Sequence, residues 1–569
     1  MINMSPETKQ CRKCSQDFNI EVEDFEFYKK MNVPAPIECP DCRLQRRLSF
    51  MNIRSLYRRT CDLCEKSTLS IFHPDQDLTV YCQQCYWSDN WDPSEYFSEY
   101  DPSAPFLKQL DDLQHRTPHS AMESLYSSMV NSEYCNYTAY MKNSYLCYFA
   151  DYGENILYSY VLAHVKDSMD CARFKESELC YELVGGYKCY QVYYSLECAE
   201  CRDVWFSKDC VGCSDCIGCV NLRKKQYCIF NEQYTKEEYG KKKKEMNLES
   251  YDSLMFLQKK AEDFWQDHPV KYMYTNSLSV NVSGDYVYDS KNAKQCYMVG
   301  DVEDSKYVQM ITVPNVKDCY DYTAWGANMT LAYECTTTGD NSQNTICCNE
   351  CWPNVSDLAY CLFTHSSHNC FGCVNVRNKE YSILNKPYSK EEYFTLKEQI
   401  MKDMDTQPYK DTQGNEWKYG FGLPADLSQF SYNETDAGLY FPLSKEEILK
   451  DGFRWYDKKT PEFKVTKQGS ELPDTIAEVD DSILNEIISC EKTGRAYRIV
   501  NDELGMLRRF NIPLPRKHPD VRIEERHTYT HKPKFYKRTT EDGEEVLTTY
   551  GPDRPEKIYS EEGYNRLVN

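Results

Sequence analysis

Between residues 131 and 231 the order of apolar and polar positions has no helical period. A cysteine or another small residue recurs about every 9 to 13 residues, usually beside a tyrosine, with Asn, Asp, Ser and Lys between. Short strand-favouring steps separated by turn residues predict β-strands. Their near-constant spacing predicts a solenoid in which each rung buries its face against the next. We interpret the segment as a parallel β-helix with rungs of one or two steps, about 10 to 24 residues.

The pattern occurs twice. "CIGCVNLRKKQYCIFNEQYTKEEY" (216–239) aligns with "CFGCVNVRNKEYSILNKPYSKEEY" (370–393) at a constant offset of 154 residues. Both copies continue into a charged, helix-like stretch. Thr235 and Ser389 have a glutamate three residues later, which predicts a capping box at the start of each helix. We therefore predict solenoid blocks at 131–231 and 276–385, a helical connector at 232–275, and a helix with an irregular connector at 386–480.

Cysteines are dense inside the first block. Only two of six recur at the offset of 154 residues, as Cys370 and Cys373, while the others become apolar or small polar residues. A packed core tolerates such replacement, so we interpret the solenoid cysteines as structural. A third metal site or an iron–sulfur cluster is the open alternative. The six are Cys198, Cys201, Cys210, Cys213, Cys216 and Cys219.

Four CxxC pairs lie within the first hundred residues. A CxxC turn directs two thiolates at one ion, and two such turns supply the four sulfur ligands of structural zinc. We predict two zinc ions, and the spacing leaves open whether the pairs share an ion sequentially or in a cross-brace. Because four thiolates close the coordination shell, each zinc is expected to be structural and not catalytic. The predicted ligands are Cys11, Cys14, Cys39, Cys42, Cys61, Cys64, Cys82 and Cys85.

The stretch "CRKCSQDF…FYKKMNVPAPIECPDCR" (11–43) resembles the short zinc-ribbon modules of bacterial proteins. The shared features are one CxxC, an aromatic residue, an "FY" segment, a proline-containing turn and a terminal CPxCR. The whole chain also resembles uncharacterised cysteine-rich zinc-ribbon and repeat proteins of bacterial genomes. The resemblance implies sequential pairing and not a cross-brace, so that Cys11/Cys14 share an ion with Cys39/Cys42, and Cys61/Cys64 share the other with Cys82/Cys85. It implies no activity.

The segment between the two predicted zinc sites is basic. Residues 43–59 hold six arginines and no acidic residue. Beside a zinc ribbon, such a segment is typical of contact with nucleic-acid phosphates. The alternatives are a solvated connector and arginines paired with this chain's own carboxylates. The candidate nucleic-acid contacts are Arg43, Arg46, Arg47, Arg54, Arg58 and Arg59.

A further group of metal-type donors occurs in "HSSHNCFGC" (365–373), where His365 and His368 precede Cys370 and Cys373. These four residues are a candidate additional metal site. In the first block the positions of the two histidines hold Val211 and Ser214, which favours a surface turn over a ligand set.

The far end repeats the beginning without the ligands. "CEKTGRAY…RKHPDVR" (490–522) aligns with residues 11–43, and residues 536–564 align with 57–86 after one deletion. Seven of the eight cysteines are replaced, which leaves too few donors for a structural zinc. We predict a metal-free copy held by a small apolar core and by docking on the solenoid. The cysteine-to-replacement pairs are Cys11/Cys490, Cys14/Thr493, Cys39/His518, Cys42/Val521, Cys61/Thr540, Cys64/Gly543, Cys82/Ser560 and Cys85/Gly563.

Composition narrows the class of protein. At 569 residues several domains are expected. The net charge of −22 argues against a surface that wraps nucleic acid as a whole. No apolar run is long enough to span a membrane, and the first residues lack a secretory signal. Thirty cysteines without an export signal indicate a reducing compartment, and we expect the cytoplasm.

These observations predict a mostly β protein. Two zinc ribbons (1–98) and a linker (99–130) precede the two β-helix blocks with their helical connectors, and a degenerate two-ribbon module (481–569) follows. Phosphate-loop, dinucleotide, zinc-protease and serine-hydrolase motifs are missing from the sequence. We expect a non-enzymatic zinc-binding scaffold that binds an unknown protein partner. The alternatives are a nucleic-acid- or ribosome-associated protein using residues 43–59, and an enzyme with its site in the solenoid groove.

Overall fold

A computed structural model describes residues 5–459 and 463–568. Strands predominate, and most of them belong to two long parallel sheets in the middle of the chain. None of the helices in these two ranges has the length and apolar character needed to cross a bilayer. The first elements are β1 (Glu7–Gln10), β2 (Asp17–Ile20), α1 (Val22–Lys30), α2 (Pro40–Leu48), β3 (Tyr57–Thr60), β4 (Ser67–Ser70), β5 (Val80–Tyr81), α3 (Gln83–Tyr86), α4 (Phe106–Arg116) and β6 (His119–Ser120).

The first stack consists of nine parallel strands that follow one another along the chain. Each residue pairs with the one 12 positions later, as Asn136 does with Tyr148 and Tyr148 with Tyr160. A short antiparallel strand, β16 (Glu232–Gln233), ends it. The nine strands are β7 (Asn136–Ala139), β8 (Tyr148–Leu157), β9 (Tyr160–Met169), β10 (Ala172–Lys175), β11 (Tyr181–Tyr187), β12 (Tyr190–Ala199), β13 (Arg202–Trp205), β14 (Ser214–Ile217) and β15 (Gln226–Ile229).

The backbone of this stack has a period of three. From Tyr137 onward a residue with left-handed φ recurs at every third position over most of the stack, for example Tyr140 at 55° and Asn143 at 50°. Each 12-residue step therefore bends about four times. Left-handed φ disfavours most side chains, but Asn and Asp tolerate it, and both are frequent here. The bends let every third side chain point inward, so the sequence period is neither that of a helix nor that of a flat strand.

Small and apolar side chains fill the inside of the stack. Its buried cluster contains twelve cysteines, together with Leu, Val, Ala, Ile, Met and Phe. Serines at the same inward positions join successive steps: Ser207 Oγ donates to the Trp205 carbonyl at 2.9 Å and accepts from the Cys219 N–H at 3.1 Å. These cysteines are packed in the core and are not joined in disulfides. Only the two N-terminal quartets qualify as metal-binding groups among the described residues.

The second stack repeats this arrangement with a less regular step. Gly284 pairs with Cys296 at 12 residues, Val302 with Val316 at 14 and Val316 with Met329 at 13. Its parallel strands are β18 (Gly284–Tyr288), β19 (Lys291–Lys294), β20 (Cys296–Gly300), β21 (Val302–Ile311), β22 (Val316–Thr323), β23 (Met329–Thr336), β24 (Ser342–Ile346), β25 (Ser356–Ala359), β26 (His368–Phe371) and β27 (Glu380–Ile383). Antiparallel β28 (Lys386–Pro387) ends it.

Helices follow both stacks, as predicted. After the first come α5 (Lys236–Glu245), α6 (Tyr251–Gln266) and the short strand β17 (Val270–Lys271); after the second comes α7 (Lys390–Thr406). Both predicted capping boxes are confirmed. Thr235 Oγ1 accepts from the Glu238 N–H, and Ser389 Oγ accepts from the Glu392 N–H, each at 3.3 Å.

The rest of the chain consists of short elements and ends in the predicted copy of the first module. These elements are β29 (Tyr409–Lys410), β30 (Glu416–Trp417), α8 (Asp436–Tyr440), α9 (Lys445–Lys450), β31 (Lys467–Gln468), β32 (Ile488–Ser489), β33 (Ala496–Tyr497), α10 (Asn501–Phe510), α11 (Pro519–Tyr529), β34 (Tyr536–Thr539), β35 (Glu545–Thr548), β36 (Ile558–Tyr559) and α12 (Glu561–Val568). We call residues 11–86 the N-terminal module and residues 490–564 the C-terminal module.

The two modules dock crosswise on the stacks. The N-terminal module packs on the second stack, where the Phe27 ring lies 3.9 Å from the Tyr320 ring and nearly parallel to it. The C-terminal module packs on the first stack, with Phe510 against Tyr193. Each module also pairs one strand with a segment beside a stack: β5 with β6, and β36 with β17. Each stack is thus covered by the module that is more distant in sequence.

Candidate metal centres

The first cysteine quartet joins a hairpin turn to the start of a helix. Cys11 follows β1, and its carbonyl accepts from the Ser15 N–H at 2.9 Å, which closes the turn that carries Cys14. Cys39 directly precedes α2, and Cys42 lies in its first turn. The sulfur atoms of the four residues all lie within 4.8 Å of one another, and those of Cys14 and Cys39 are 3.6 Å apart. Sequential pairing is confirmed.

The second quartet is built in the same way. The Cys61 carbonyl accepts from the Glu65 N–H at 2.9 Å in the turn between β3 and β4. Cys82 precedes α3, and its N–H donates to Cys61 Sγ at 3.2 Å, as the Cys39 N–H does to Cys11 Sγ. Cys64 Sγ and Cys82 Sγ lie 3.9 Å apart. Two elements of the same kind therefore place each set of four thiols.

Both quartets fit a tetrahedral thiolate site. With metal–sulfur bonds of about 2.3 Å, the sulfur atoms of a tetrahedron lie about 3.8 Å apart, close to the separations found here. Burial alone would raise the pKa of the Cys61 thiol, but N–H groups of Cys82, Cys64 and Leu63 that donate to its sulfur lower that pKa to about 7. The thiolate that a metal needs is therefore accessible near neutral pH.

Hydrogen bonds replace the ligands in the first half of the C-terminal module. The turn survives, since the Cys490 carbonyl accepts from the Gly494 N–H at 2.9 Å. Burial lowers the pKa of His518 to about 4, so its imidazole is neutral, and Nδ1 accepts from the Asp520 N–H at 3.0 Å as the N-cap of α11. Val521 is buried in the core. The Nδ1 atom of His518 thus caps a helix.

The second half of the C-terminal module is held by a carboxylate. Asp542 accepts from the Ser560 N–H at 3.0 Å and from the Ser560 hydroxyl, and Ser560 Oγ accepts from the Gly563 N–H at 3.0 Å. These bonds, the Ser560 hydroxyl foremost, hold the pKa of Asp542 below its ordinary value. Side-chain hydrogen bonds therefore join the same two turns that four cysteines join in the N-terminal module.

Three of the six arginines predicted to contact nucleic acid are buried. Arg43, Arg46 and Arg47 project from α2 onto the second stack. Because they are at most 4% exposed, they cannot reach an external phosphate, and pairing with the chain's own carboxylates is the arrangement found. The ion pairs are Arg43–Asp321 at 3.0 Å, Arg46–Glu38 at 3.0 Å, Arg46–Glu334 at 2.9 Å and Arg47–Asp321 at 3.0 Å.

The other three arginines are nearer the surface. Arg58 is exposed and donates to the Tyr134 hydroxyl at 2.6 Å. The Arg59 side chain is 8% exposed, pairs with Asp62 at 3.4 Å and donates to the Leu78 carbonyl at 3.0 Å. Arg54 is half-buried. Contact between nucleic acid and these three residues stays a prediction.

The candidate additional metal site is not assembled. Cys370 and Cys373 point into the core of the second stack, whereas His368 is exposed on the outside of β26. His368 Nδ1 is bonded to the Ser356 hydroxyl at 2.9 Å, and His365 Nδ1 is bonded to the Trp352 carbonyl. Residues two apart on a strand-like segment share a face only when the backbone does not bend between them, and here it bends at Asn369.

A matching set of buried arginines in the C-terminal module escaped the sequence interpretation. Arg522 and Arg526 of α11 pair with Asp170 at distances up to 2.9 Å, and Arg526 also pairs with Glu182 at 3.1 Å. They occupy the places of Arg43 and Arg47. The recurrence of Arg43 as Arg522 in the aligned sequences indicated a conserved position for the first arginine of this pair. The second arginine, Arg526, recurs at the position of Arg47, one helical turn after Arg522.

Comparisons with protein-family models and with curated proteins identify no relative of this chain. No protein-family model matches the chain, and a search of curated proteins finds no significant match.

Proposed function

We propose that this protein is a non-enzymatic scaffold whose N-terminal module holds two structural zinc ions. Its two stacks would be β-helices whose outer surfaces receive a protein partner. The observation that carries the proposal is the equivalent docking of the two modules. The C-terminal module lacks the metal ligands yet makes the same kind of contact with its stack as the N-terminal module does.

The equivalence extends to individual ion pairs. Arg43 and Arg47 reach Asp321 on the second stack, and Arg522 and Arg526 reach Asp170 on the first. Asp321 and Asp170 both have left-handed φ, at 53° and 55°. A role that both modules share cannot need a reactive metal, because the C-terminal module lacks the ligands. Shape and docking are what the two copies share, and this supports a structural role for the metal.

Zinc is the ion that the four-thiolate sets favour, because it prefers tetrahedral sulfur coordination without redox chemistry. Thirty free cysteines, none in a disulfide, fit a reducing compartment, and we place the protein in the cytoplasm.

The 12-residue parallel step and the inward period of three support the β-helix. Such a fold presents side chains in straight ladders outside. On the first stack the rings of Tyr140 and Tyr152 lie 4.6 Å apart, and those of Tyr152 and His164 lie 4.7 Å apart, all nearly parallel. Tyr140 and Tyr152 are each 49% exposed. Aromatic side chains of this kind favour protein interfaces, so this ladder is the proposed contact surface.

The test compares partner recovery by variants of the ladder. Native protein purified from its own cells should carry two zinc ions per chain and no iron, together with a stoichiometric partner. Replacing Tyr140 and Tyr152 by alanine should abolish recovery of that partner and leave the zinc content unchanged. The matched control is Tyr187→Ala, which removes an exposed tyrosine elsewhere on the same stack. Equal recovery by all variants, or iron in the protein, would refute the proposal.

A further inference from the structure

The duplicated architecture gives the molecule two equivalent grooves. One lies between the second stack, α2 of the N-terminal module and α4, and the other lies between the first stack, α11 of the C-terminal module and α6. The helices α4 and α6 are equivalent because each leads into the strand that pairs with its module, β6 with β5 and β17 with β36. The chain itself fills the first groove, whereas the second contains a cleft, so we call them the filled groove and the open groove.

Residues 416–428 occupy the filled groove. Leu423 and Leu427 of this segment are buried there. Each of the three walls is bonded to the backbone of the segment, so the filled groove acts as a binding site for a peptide that belongs to the same chain. The Gly420 N–H donates to the Tyr360 hydroxyl at 2.7 Å, the Leu423 carbonyl accepts from Arg46 at 3.1 Å, and the Leu427 carbonyl accepts from Gln114 at 2.9 Å.

A glycine lets the segment approach the module closely. Gly420 has a left-handed φ of 79°, and a Cβ atom at this position would lie 2.5 Å from Cδ of Pro34. Carbon atoms pack at about 3.5–4.0 Å, so a larger residue does not fit without displacing the proline. Pro513 aligns with Pro34 and borders the open groove. We therefore expect the open groove to require glycine at the same point of its occupant.

The open groove is a cleft of about 380 Å³. The chain bounds one end of it, where the Tyr251 N–H donates to the Asp474 carbonyl at 2.9 Å. The module alignment makes three of its wall residues equivalent to residues that border the filled groove, and the strand registers add Glu182 and Glu334, each three steps before the aligned strands β14 and β26. The equivalent pairs are Pro34/Pro513, Arg46/Glu525, Ser49/Thr528 and Glu334/Glu182.

Side chains that are covered in the filled groove are uncovered in the open one. The Glu334 side chain is 1% exposed, whereas that of its equivalent Glu182 is 22% exposed. Arg46 is 4% exposed, whereas Glu525 in the same place is 31% exposed. The open groove thus has the walls of a peptide site without the peptide.

The wall of the open groove carries one unpaired charge, and that charge is negative. The Glu262 carboxylate accepts from the Tyr529 hydroxyl at 2.5 Å, and in the described part of the chain it forms no ion pair of 4.0 Å or less. Partly exposed Tyr251 and Met255 add apolar surface. An occupant with apolar side chains and one lysine or arginine complements this wall. The cations of the wall are all paired, as Lys259–Asp263, Arg516–Glu491, Lys517–Glu525, Arg522–Asp170 and Arg526–Glu182.

From this duplication we propose that the open groove binds a peptide segment of a partner protein. The segment has a glycine opposite Pro513, apolar residues beside it, and a lysine or arginine that pairs with Glu262. The site is separate from the ladder of Tyr140 and Tyr152, so it does not rest on the partner surface proposed above.

The test uses a labelled synthetic peptide of residues 416–428, EWKYGFGLPADLS, as the probe. Fluorescence anisotropy follows its binding to the full-length, zinc-loaded protein, and binding should be saturable. Lys418 is the only basic residue of this peptide. Peptides that carry Gly420→Val or Lys418→Met should each bind at least about tenfold more weakly, the first through overpacking and the second through loss of the charge pair.

Variants of the protein locate the binding. Met255→Trp places a large ring in the cleft and should abolish binding, and Thr528→Trp does the same from an exposed position if the first variant is not native in circular dichroism and zinc content. Glu262→Gln, which keeps an acceptor for Tyr529, should abolish the preference for the peptide with Lys418. The matched control is Asp111→Asn on α4, at the position equivalent to Glu262, and it should bind as the native chain does.

Three results would overturn the proposal. The first is no saturable binding by a chain whose circular dichroism and zinc content are native, and the second is equal affinity for the native and Gly420→Val peptides. The third is unchanged binding in a natively folded Met255→Trp or Thr528→Trp protein. A dimer in light scattering that the free peptide dissociates would instead assign the groove to a second copy of this chain. Unchanged peptide binding after replacement of Tyr140 and Tyr152 by alanine keeps a failure of this site distinguishable from a failure of the ladder.

Discussion

The Tyr86 hydroxyl is hydrogen-bonded to Asn375 Oδ1 at 3.0 Å, although 289 residues separate the two in sequence. The Tyr564 hydroxyl is bonded to Asn221 Oδ1 at 2.8 Å. Tyr86 and Tyr564 are equivalent in the two modules, and Asn375 and Asn221 are equivalent in the two stacks. The same contact therefore forms twice, once beside four cysteines and once without them.

Phenylalanine at either tyrosine should loosen the module that carries it. Tyr564→Phe leaves the buried Asn221 Oδ1 without its donor, and Tyr86→Phe does the same at Asn375. We expect each change to lower the free energy of unfolding by about 1–3 kcal/mol, measured by denaturant titration. Tyr140→Phe, on the exposed ladder, is the control and should lie within about 0.5 kcal/mol of the native chain. Loss of stability in the control alone would contradict the docking role.

Replacing one cysteine should change the zinc content of the protein when the cysteine lies in the N-terminal module, but not when it lies in the C-terminal module. Cys11→Ser removes one of four ligands, so elemental analysis should find one zinc ion per chain in place of two. Cys490→Ser alters the equivalent position of the C-terminal module and should leave two zinc ions. Zinc loss in Cys490→Ser would show that the C-terminal module binds metal after all.

Removing zinc with a chelator should loosen the N-terminal module and leave the C-terminal module folded. Structural zinc contributes an apparent free energy of about 10–16 kcal/mol to folding in small zinc-binding peptides. Removing it should increase hydrogen exchange in residues 11–85 and leave residues 490–564 protected, because hydrogen bonds of Asp542 and Ser560 replace the metal there. Hydrogen exchange with mass spectrometry resolves the two ranges. Simultaneous loss of protection at both ends would mean that the modules are not independent.

Removal of a buried arginine should be costly. Arg47→Met removes one of the cations that neutralise the buried carboxylates of Asp321 and Glu334. Because breaking a buried ion pair costs about 3–5 kcal/mol, we expect the free energy of unfolding to fall by this amount. Arg526→Met should cost a similar amount through Asp170 and Glu182. Arg58→Met is the matched control, since Arg58 is exposed. A smaller loss of stability in Arg47→Met than in Arg58→Met would contradict the prediction.

Stability should fall as pH rises through neutrality. Burial raises the pKa of Glu350 from 4.5 to about 8, and nearby Glu123 is raised as well. The folded state favours the protonated form, so the contribution of Glu350 is complete below pH 4.5 and is lost as pH approaches 8. Glu350→Gln, which keeps an acceptor for the Tyr137 hydroxyl, should flatten this loss in melting temperatures measured from pH 5 to 8. Glu446→Gln, on the surface, should retain the native pH profile.

Local spacing was enough to predict the cysteine quartets and the helix caps. The CxxC turns place two sulfurs by short-range geometry, so Cys11 and Cys39 could be assigned from spacing and family resemblance. Thr235 and Ser389 needed only the glutamate three residues on. The duplication was equally visible, because aligned residues such as Asn221 and Asn375 lie in a gap-free match with 15 of 24 residues identical.

The length of the solenoid step and the burial of the arginines in residues 43–59 could not be predicted from local sequence patterns. A period of three fits neither a helix nor a flat strand, and it becomes intelligible only with the left-handed bends at residues such as Tyr140 and Asn143. The burial of Arg47 depends on Asp321, 274 residues away. No pattern within residues 43–59 separates an arginine that pairs internally from one that faces solvent.

Crosswise docking has a consequence for synthesis. Asp170 and Arg522 lie 352 residues apart, so at about 5–20 residues per second the ribosome makes Asp170 roughly 20 to 70 s before its cation. During much of that interval the first stack has been translated, but the C-terminal module that packs on it has not. We therefore expect a nascent chain of this protein to carry an uncovered apolar face for tens of seconds, and exposed apolar surface of this kind is what chaperones protect in general.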